Sequence, residues 1–313
     1  MSTATAPTNP AATRPAGSDR TAFSTVDWSL FFGISLIWGS SFLLIMLALD
    51  TFHPGLITWA RVGLGAIALR LLRRGVAPIE RGDRNRVTLL SLIWVAIPFT
   101  MFPLAEQHIS SAMAGLLIAA TPVFATLWGV TWFGRPTGRV QHAGITVGFV
   151  GVALMSLGTG GGNSAALGVV MVLGATVCYG WATNAAAPLQ RKYGSVPLMG
   201  AMLGFGAVWT APFGIFGLTQ STFALGPVVA VTVLGVVGTG IAFALMATLI
   251  GRIGGPRASF ITYLMPLVSL VLGMVFLSET VTGQSLVGTA LVLAASFLAS
   301  RPETRPAARR RGR

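Results

Sequence analysis

Residues 140–158 read VQHAGITVGFVGVALMSLG, a mostly apolar run without lysine, arginine, aspartate or glutamate. Polar and apolar residues do not alternate along residues 144–157, whereas the strands of a membrane β-barrel alternate with a period of two. A helix of about 20 apolar residues crosses the hydrocarbon core and pairs its own backbone amides there. This run therefore predicts a transmembrane α-helix.

Nine further apolar runs of similar length follow one another through the chain, so we expect an all-α polytopic membrane protein with ten spans. The connectors between them, such as residues 50–53 and 278–283, are too short to hold a soluble domain or a catalytic loop. The ten predicted spans are residues 28–49, 54–73, 87–105, 110–133, 140–158, 166–188, 197–217, 225–250, 257–277 and 284–300.

The composition agrees with a lipid-embedded chain. Of the 313 residues, 53% are hydrophobic and 9% are charged, whereas soluble domains carry about 25% charged residues. The net charge of +13 would by itself fit a nucleic-acid binder, but the mean hydropathy of +0.76 argues against one. Cys178 is the single cysteine, which excludes an intrachain disulfide and a CxxC site.

The basic residues fall on one side of the predicted spans. With a cytoplasmic N-terminus, every lysine and arginine except Arg61 lies in a cytoplasmic tail or connector or at the cytoplasmic end of a span. Three acidic residues, Asp50, Glu106 and Glu279, fall at outer ends. This asymmetry follows the positive-inside rule and predicts that both termini are cytoplasmic. We expect the basic clusters to contact anionic lipids at that face and not nucleic acid.

The chain repeats itself. A shift of 144 residues superposes the fourth and fifth spans on the ninth and tenth, and a shift of 141 places Trp38-Gly39 on Tyr179-Gly180. Because each unit has five spans, the second crosses the membrane in the opposite sense, which gives two inverted repeats with a substrate site between them. The matched pairs are Ala114 and Ala258, Pro122 and Pro266, Gly129 and Gly273, Gly144 and Gly288, Leu154 and Leu298, and Ser156 and Ser300.

This repeat predicts the organisation of the chain. It comprises a disordered cytoplasmic tail at 1–27, repeat 1 at 28–158, an outer linker at 159–165, repeat 2 at 166–300 and a basic cytoplasmic tail at 301–313.

Several short motifs follow one another along the chain. They are Trp38-Gly39-Ser40-Ser41-Phe42, Arg61, Glu106-Gln107-His108-Ile109-Ser110-Ser111-Ala112, Thr121-Pro122-Val123-Phe124, Met265-Pro266-Leu267 and Leu277-Ser278-Glu279. With them the chain resembles the ten-span EamA-type permeases of the drug/metabolite transporter superfamily over about residues 28–300. It departs from that family at Gly134-Arg135, where a Gly-Glu pair is common, which leaves Glu279 as the only copy of that glutamate.

Arg61 is the one charge that lies far from both ends of a predicted span. It lies roughly 10 Å from Pro54 and 18 Å from Arg73 along the helix, too deep to reach either interface comfortably. An arginine at a helix centre costs about 2.5 to 3.5 kcal/mol on insertion, so it should point inward. It either attracts a carboxylate or phosphate into a cavity or holds helix-end carbonyls; the resemblance favours the second role, because the family often has an arginine here across many substrates.

Other candidates lie on spans that the resemblance places around a central cavity. Glu106 and His108 could couple transport to protons or simply be solvated, and Pro122 and Pro266 could be hinges or fixed bends. Glu279 is interpreted as an outer-loop feature and Thr282 as the N-cap of the tenth span. The predicted cavity residues are Trp38, Ser40, Ser41, Phe42, Arg61, Tyr179, Trp181, Asn184, Tyr263 and Met265.

The sequence contains no HExxH, GxSxG or P-loop motif, so we expect no enzyme activity, no catalytic residue, no metal and no cofactor. The predicted function is a secondary permease of the inner membrane that exports a small metabolite, such as an amino acid or a related amphipathic compound, by alternating access. The alternatives are a non-transporting sensor or accessory subunit of the same fold and a multidrug efflux carrier. The expected partners are the small-molecule solute and the bilayer, and the chain is expected to be a monomer or a homodimer.

Overall fold

The computed structural model describes residues 23–72, 79–135, 138–158 and 162–299, and all regular secondary structure in these ranges is helical. Ten helical spans stand where the sequence predicts them, which confirms the ten-helix membrane fold. Eight are long and apolar enough to cross a membrane, and the last two are shorter apolar helices. They are α1 (Thr25–Leu49), α2 (Pro54–Leu72), α3 (Arg81–Ala105), α4 (Ser111–Thr131), α5 (Arg139–Leu157), α6 (Gly162–Tyr193), α7 (Ser195–Thr219), α8 (Leu225–Ile253), α9 (Ile261–Leu277) and α10 (Gly283–Ala299).

The first helix begins earlier than predicted. Residues 25–27, assigned to the N-terminal tail, form the first turn of α1 because Ser24 caps it through a hydrogen bond from the Asp27 amide. The Asp27 carboxylate in turn forms an ion pair with Arg252 at the end of α8. A search for apolar runs misses this turn because Thr25 and Asp27 are polar.

The outer linker is likewise shorter than predicted, since residues 162–165 belong to the start of α6. The rest of the predicted tails and linker, residues 1–22, 159–161 and 301–313, lies outside the described residues.

The first helix of each repeat packs on the fourth helix of the other. A Cβ atom on Gly39 of α1 would lie 2.6 Å from the Val268 side chain of α9, and one on Gly180 of α6 would lie 2.7 Å from the Phe124 backbone of α4. Phe124 and Val268 are matched by the 144-residue shift, so the same crossing is made twice. Small residues permit this close approach, because lipid supplies no hydrophobic drive for helices to associate.

The helices α5 and α10 pair across the repeats in the same way. A Cβ atom on Gly151 would lie 2.7 Å from the Gly288 carbonyl oxygen, and one on Gly288 would lie 2.7 Å from the Gly151 carbonyl oxygen. The two backbones are therefore in direct contact at this crossing, and neither position has room for a side chain.

Three spans contain irregular turns. The third helix of each repeat has a π-helical segment at a matched place, Ser91–Ala96 in α3 and Val236–Ile241 in α8. In α4 a 3₁₀ turn at Ile118–Ala120 precedes Pro122, whereas Pro266 lies within the continuous helix of α9. The hinge role of both prolines stays a prediction, and π-helical turns often accompany functional sites.

The glycine crossing yields a stability prediction. Gly288→Ala should lower the free energy of unfolding by about 1–3 kcal/mol, because the added methyl group overpacks a backbone contact. Gly33→Ala in α1, where a Cβ atom would meet nothing within 4 Å, is the control and should leave stability unchanged or raise it. Thermal unfolding of the detergent-purified variants measures the difference, and equal Tm values for the two would contradict the predicted contact.

Candidate functional site

A cavity of about 200 Å³ lies between the two repeats and is bordered by seven of the ten helices. Both π-helical turns reach it, through Trp94 of α3 and Gly238 of α8. The lining residues are Trp38, Ser41, Phe42, Ile45, Arg61, Trp94, Phe99, Phe102, Ile118, Thr121, Tyr179, Thr183, Gly238, Phe243, Thr262 and Met265.

Aromatic rings form much of its wall. The rings of Trp38 and Phe243 meet edge to face with centroids 5.5 Å apart, and those of Phe42 and Phe102 do so at 5.6 Å. Tyr179 continues the second group, with its ring centroid 6.0 Å from that of Phe102. Such a wall suits an apolar or amphipathic solute, while hydroxyl groups provide a few polar contacts.

Arg61 is the only charged residue on the cavity wall and is 7% exposed. Its Nε donates to the Thr239 hydroxyl at 3.2 Å, and its guanidinium carbon lies 4.1 Å from the centroid of the Phe99 ring. Thr239 belongs to the π-helical turn of α8 and donates to the Leu234 carbonyl at 3.0 Å, so its oxygen is positioned to accept from Arg61.

The partners of Arg61 bear on its two interpretations. Among the described residues its hydrogen-bond partner is a hydroxyl, and not the helix-end carbonyls that the structural interpretation requires. Both terminal guanidinium nitrogens therefore keep their donors for another partner. A guanidinium fork with free donors on a cavity wall can bind a carboxylate or phosphate with two parallel hydrogen bonds.

The cavity is closed at one end and open at the other. Phe42, Ile45 and Phe102, which lie toward the predicted outer ends of α1 and α3, are buried. Thr183 is exposed and lies in the half of α6 that ends near Arg191. The open end therefore faces the side on which the basic residues cluster.

The structure brings some of the predicted cavity residues together and places others elsewhere. Those on the wall are Trp38, Ser41, Phe42, Arg61, Tyr179 and Met265. Ser40, Trp181, Asn184 and Tyr263 are not among the lining residues.

The side chains away from the wall have other contacts. The Asn184 amide donates to the carbonyls of Ala125 and Gly180, at 2.9 Å each, and so joins α6 to α4. The Trp181 ring lies 6.1 Å from the Phe133 ring and the Tyr263 ring 5.7 Å from the Phe260 ring, while Ser40 donates to the carbonyl of its own helix at Ile37. Successive side chains on a helix differ by about 100° in direction, so sequence neighbours of a lining residue face other surfaces.

The contribution of α3 to the cavity wall was not predicted from the sequence. Phe99 and Phe102 line the cavity, and Glu106 follows Phe102 by four residues as the C-cap of the same helix. Their spacing of three and four residues is the signal of one face that could have identified them.

Three polar residues at the predicted outer ends have different surroundings. Glu106 is 3% exposed, and both of its carboxyl oxygens lack a hydrogen-bond partner among the described residues. His108 is half-buried, with its Nδ1 2.8 Å from the Ser164 hydroxyl. The Thr282 hydroxyl accepts from the Ser285 amide at 3.2 Å, which confirms Thr282 as the N-cap of α10.

Glu279 is more than an outer-loop feature. Its carboxylate accepts hydrogen bonds from the Ser111 and Ala112 amides at 2.8 Å each and from the Ser111 hydroxyl at 3.0 Å. It therefore caps the N-terminus of α4 from the end of α9. A negative charge at that position also interacts favourably with the helix dipole.

The chain is similar to known transport proteins over most of its length. The model of the EamA-like transporter family matches residues 28–157 and again 166–301. A "Probable terminal-alkyne amino-acid exporter" of Streptantibioticus cattleyicolor is 27% identical over 279 residues, 88% of this chain and 93% of that protein. A "Probable amino-acid metabolite efflux pump" of Salmonella typhimurium is 26% identical over 287 residues, 85% and 91% of the two chains.

Two further comparisons agree. The "Uncharacterized inner membrane transporter YedA" of Escherichia coli (strain K12) is 25% identical over 256 residues, 80% of this chain and 83% of that protein. A solved crystal structure with 18% sequence identity has a TM-score of 0.58 and covers 89% of this chain and 98% of its own, which shows the same fold. The chain therefore belongs to the EamA-like transporter family, and it is a multi-pass membrane transporter and not an enzyme.

Proposed function

We propose that this protein is a secondary active exporter of a small amphipathic metabolite with a carboxylate group, such as an amino acid or a close derivative. The observation that carries the proposal is Arg61, a buried guanidinium on the cavity wall held by Thr239 and Phe99. Its terminal nitrogens have no hydrogen-bond partner among the described residues and can bind a solute. The printed names of two relatives, an amino-acid exporter and an amino-acid metabolite efflux pump, support the same class of solute.

The other cavity residues complement such a solute. Aromatic faces contact its apolar part, while the hydroxyl oxygens of Thr121 and Tyr179 can accept hydrogen bonds from an amino group. The volume of about 200 Å³ is below the roughly 300–1,000 Å³ of pockets that hold drug-sized ligands. The cavity size thus favours a metabolite over the larger compounds of a multidrug carrier.

The shape of the cavity and the positive-inside rule support an alternating-access mechanism. If the basic side is cytoplasmic, the open end near Thr183 admits a solute from the cytoplasm. The buried layer of Phe42, Ile45 and Phe102 then closes the outer end. This arrangement is the loading state of an exporter in the inner membrane, with both termini in the cytoplasm.

Replacement of Arg61 tests the proposal. In proteoliposomes, Arg61→Gln should reduce the counterflow of an amino acid by about 10-fold or more, because loss of a charge-assisted bidentate contact removes about 1.5–3 kcal/mol of binding free energy. Arg61→Lys keeps the charge without the fork and should give an intermediate rate. Arg70→Gln, an exposed arginine on the same helix, is the matched control and should exchange like the wild type.

The Tm and the size-exclusion profile of each variant show whether it is folded. A folded Arg61→Gln variant with wild-type counterflow would refute the role of Arg61. Wild-type protein that does not accelerate exchange for any amino acid tested would favour the accessory-subunit alternative.

A ligand screen provides an independent test. Amino acids with apolar side chains should raise the Tm of the purified protein, because a ligand that binds only the folded state stabilises it by about 2.7 kcal/mol at 100 times its Kd. The corresponding carboxamides, which lack the carboxylate, should give a much smaller shift. Equal shifts for acids and amides would rule out recognition of the carboxylate by Arg61.

A further inference from the structure

A second cavity of about 710 Å³ lies at the outer ends of the helices. We call it the outer vestibule; its wall includes Met46 and Asp50 of the α1 end and Glu106 and Gln107 after α3. Asp50 is exposed, whereas Glu106 is 3% exposed. The vestibule thus holds one solvated acid and one buried acid.

The vestibule and the central cavity lie in line and are separated by one apolar layer. Ile45 borders the central cavity and the next residue, Met46, borders the vestibule. On α3, Phe102 borders the central cavity and Glu106, one turn or about 6 Å further along, borders the vestibule. Glu106 therefore lies directly on the outer side of the layer that closes the central cavity.

Glu106 lacks the contacts that stabilise a buried charge. Neither oxygen has a hydrogen-bond partner among the described residues, while the nearby Glu279 carboxylate receives three hydrogen bonds. An ionised carboxylate that loses its water and gains no donor is far more costly than the neutral acid. In this closed arrangement Glu106 is expected to carry a proton.

Burial and a negative neighbour raise the pKa of the Glu106 carboxyl, whereas one positive neighbour lowers it. Burial, and then the negative charge of Glu279, raise the pKa of the Glu106 carboxyl well above its ordinary value, and Arg61 on α2 partly opposes them. Asp50 adds a further negative charge to the vestibule wall, and His108 lies beside the Ser164 hydroxyl. The neighbouring groups thus favour the protonated form overall.

We propose that Glu106 is the proton-binding site of this transporter, and that uptake of a proton from the outer side allows the layer of Phe42, Ile45 and Phe102 to close. Opening of the layer hydrates Glu106, which then exchanges its proton with the outer solution. Closing buries the carboxyl again, and the layer closes over the neutral form at much lower cost than over the charged one. This inference rests on the proposed export function, in which the empty carrier must close its outer end after releasing the solute.

The test separates exchange from the response of export to outer pH, in proteoliposomes that hold an amino acid of the responsive class. Wild-type export should be several-fold faster when the medium on the vestibule side is acidified. Glu106→Gln stays neutral and closes without a proton, so it should keep counterflow within about 2-fold and lose this acceleration. Asp50→Asn, the exposed acid of the same vestibule, is the matched control and should respond like the wild type.

The outcomes distinguish the two proposals. Absence of counterflow in the wild type would overturn the export function, whereas counterflow with an undiminished pH response in Glu106→Gln would overturn the role of Glu106 alone. Acceleration of the wild type by a sodium gradient and not by a pH gradient would also overturn it.

Labelling provides a second measurement that does not depend on the glutamine variant. In a Cys178→Ala background, Ile45→Cys reports on the closed layer and Leu47→Cys, on the vestibule wall, reports the intrinsic thiol reactivity at each pH. The ratio of the two labelling rates should rise as the outer pH is raised, because deprotonation of Glu106 opens the layer. A ratio that does not change with pH would refute the proposal.

Discussion

The hydrogen bonds from the start of α4 to Glu279 are the interaction on which the shape of the cavity depends. Three donors from Ser111 and Ala112 bind one carboxylate at the end of α9 and hold the outer ends of both helices together. Gly273 permits this approach, because a Cβ atom there would collide with the Glu279 carboxylate. With the outer ends joined, the cavity opens at the opposite end, near Thr183.

The inverted repeat contains the same turn twice, with opposite charge. The Glu279 amide donates to the Gly273 carbonyl at 3.2 Å, and the matched Arg135 amide donates to the Gly129 carbonyl at 2.8 Å. The residue before each has a positive φ, 53° at Ser278 and 61° at Gly134. A cation cannot cap a helix N-terminus, so Arg135 cannot form at the inner end the contact that Glu279 forms at the outer end. This difference between the repeats favours the form that is open on the basic side.

The sequence predicted the elements that depend on hydropathy and repetition, and it missed those that depend on the direction of side chains. Ten apolar runs were sufficient for the spans, and the shifts of 144 and 141 residues were sufficient for the two repeats. The crossings at Gly39 and Gly180 were not predicted. The inward direction of Arg61 followed from the cost of a charge in lipid. The contacts of Asn184 and Glu279 could not be predicted, because each joins two helices that are distant in sequence and their relative rotation is set by packing.

The cap at Glu279 and the buried acid at Glu106 are physically linked. The closure that holds Glu279 against Ser111 also excludes water from Glu106, and the negative charge of Glu279 raises the cost of a second negative charge nearby. Each hydrogen bond to a charged group is worth about 1.5–3 kcal/mol net, which is comparable to the few kcal/mol that separate two functional conformations. Water can replace these donors when the outer end opens, so the closed form is favoured but can still open. Under the proposed role of Glu106, binding of one proton is therefore enough to shift the balance between the two forms.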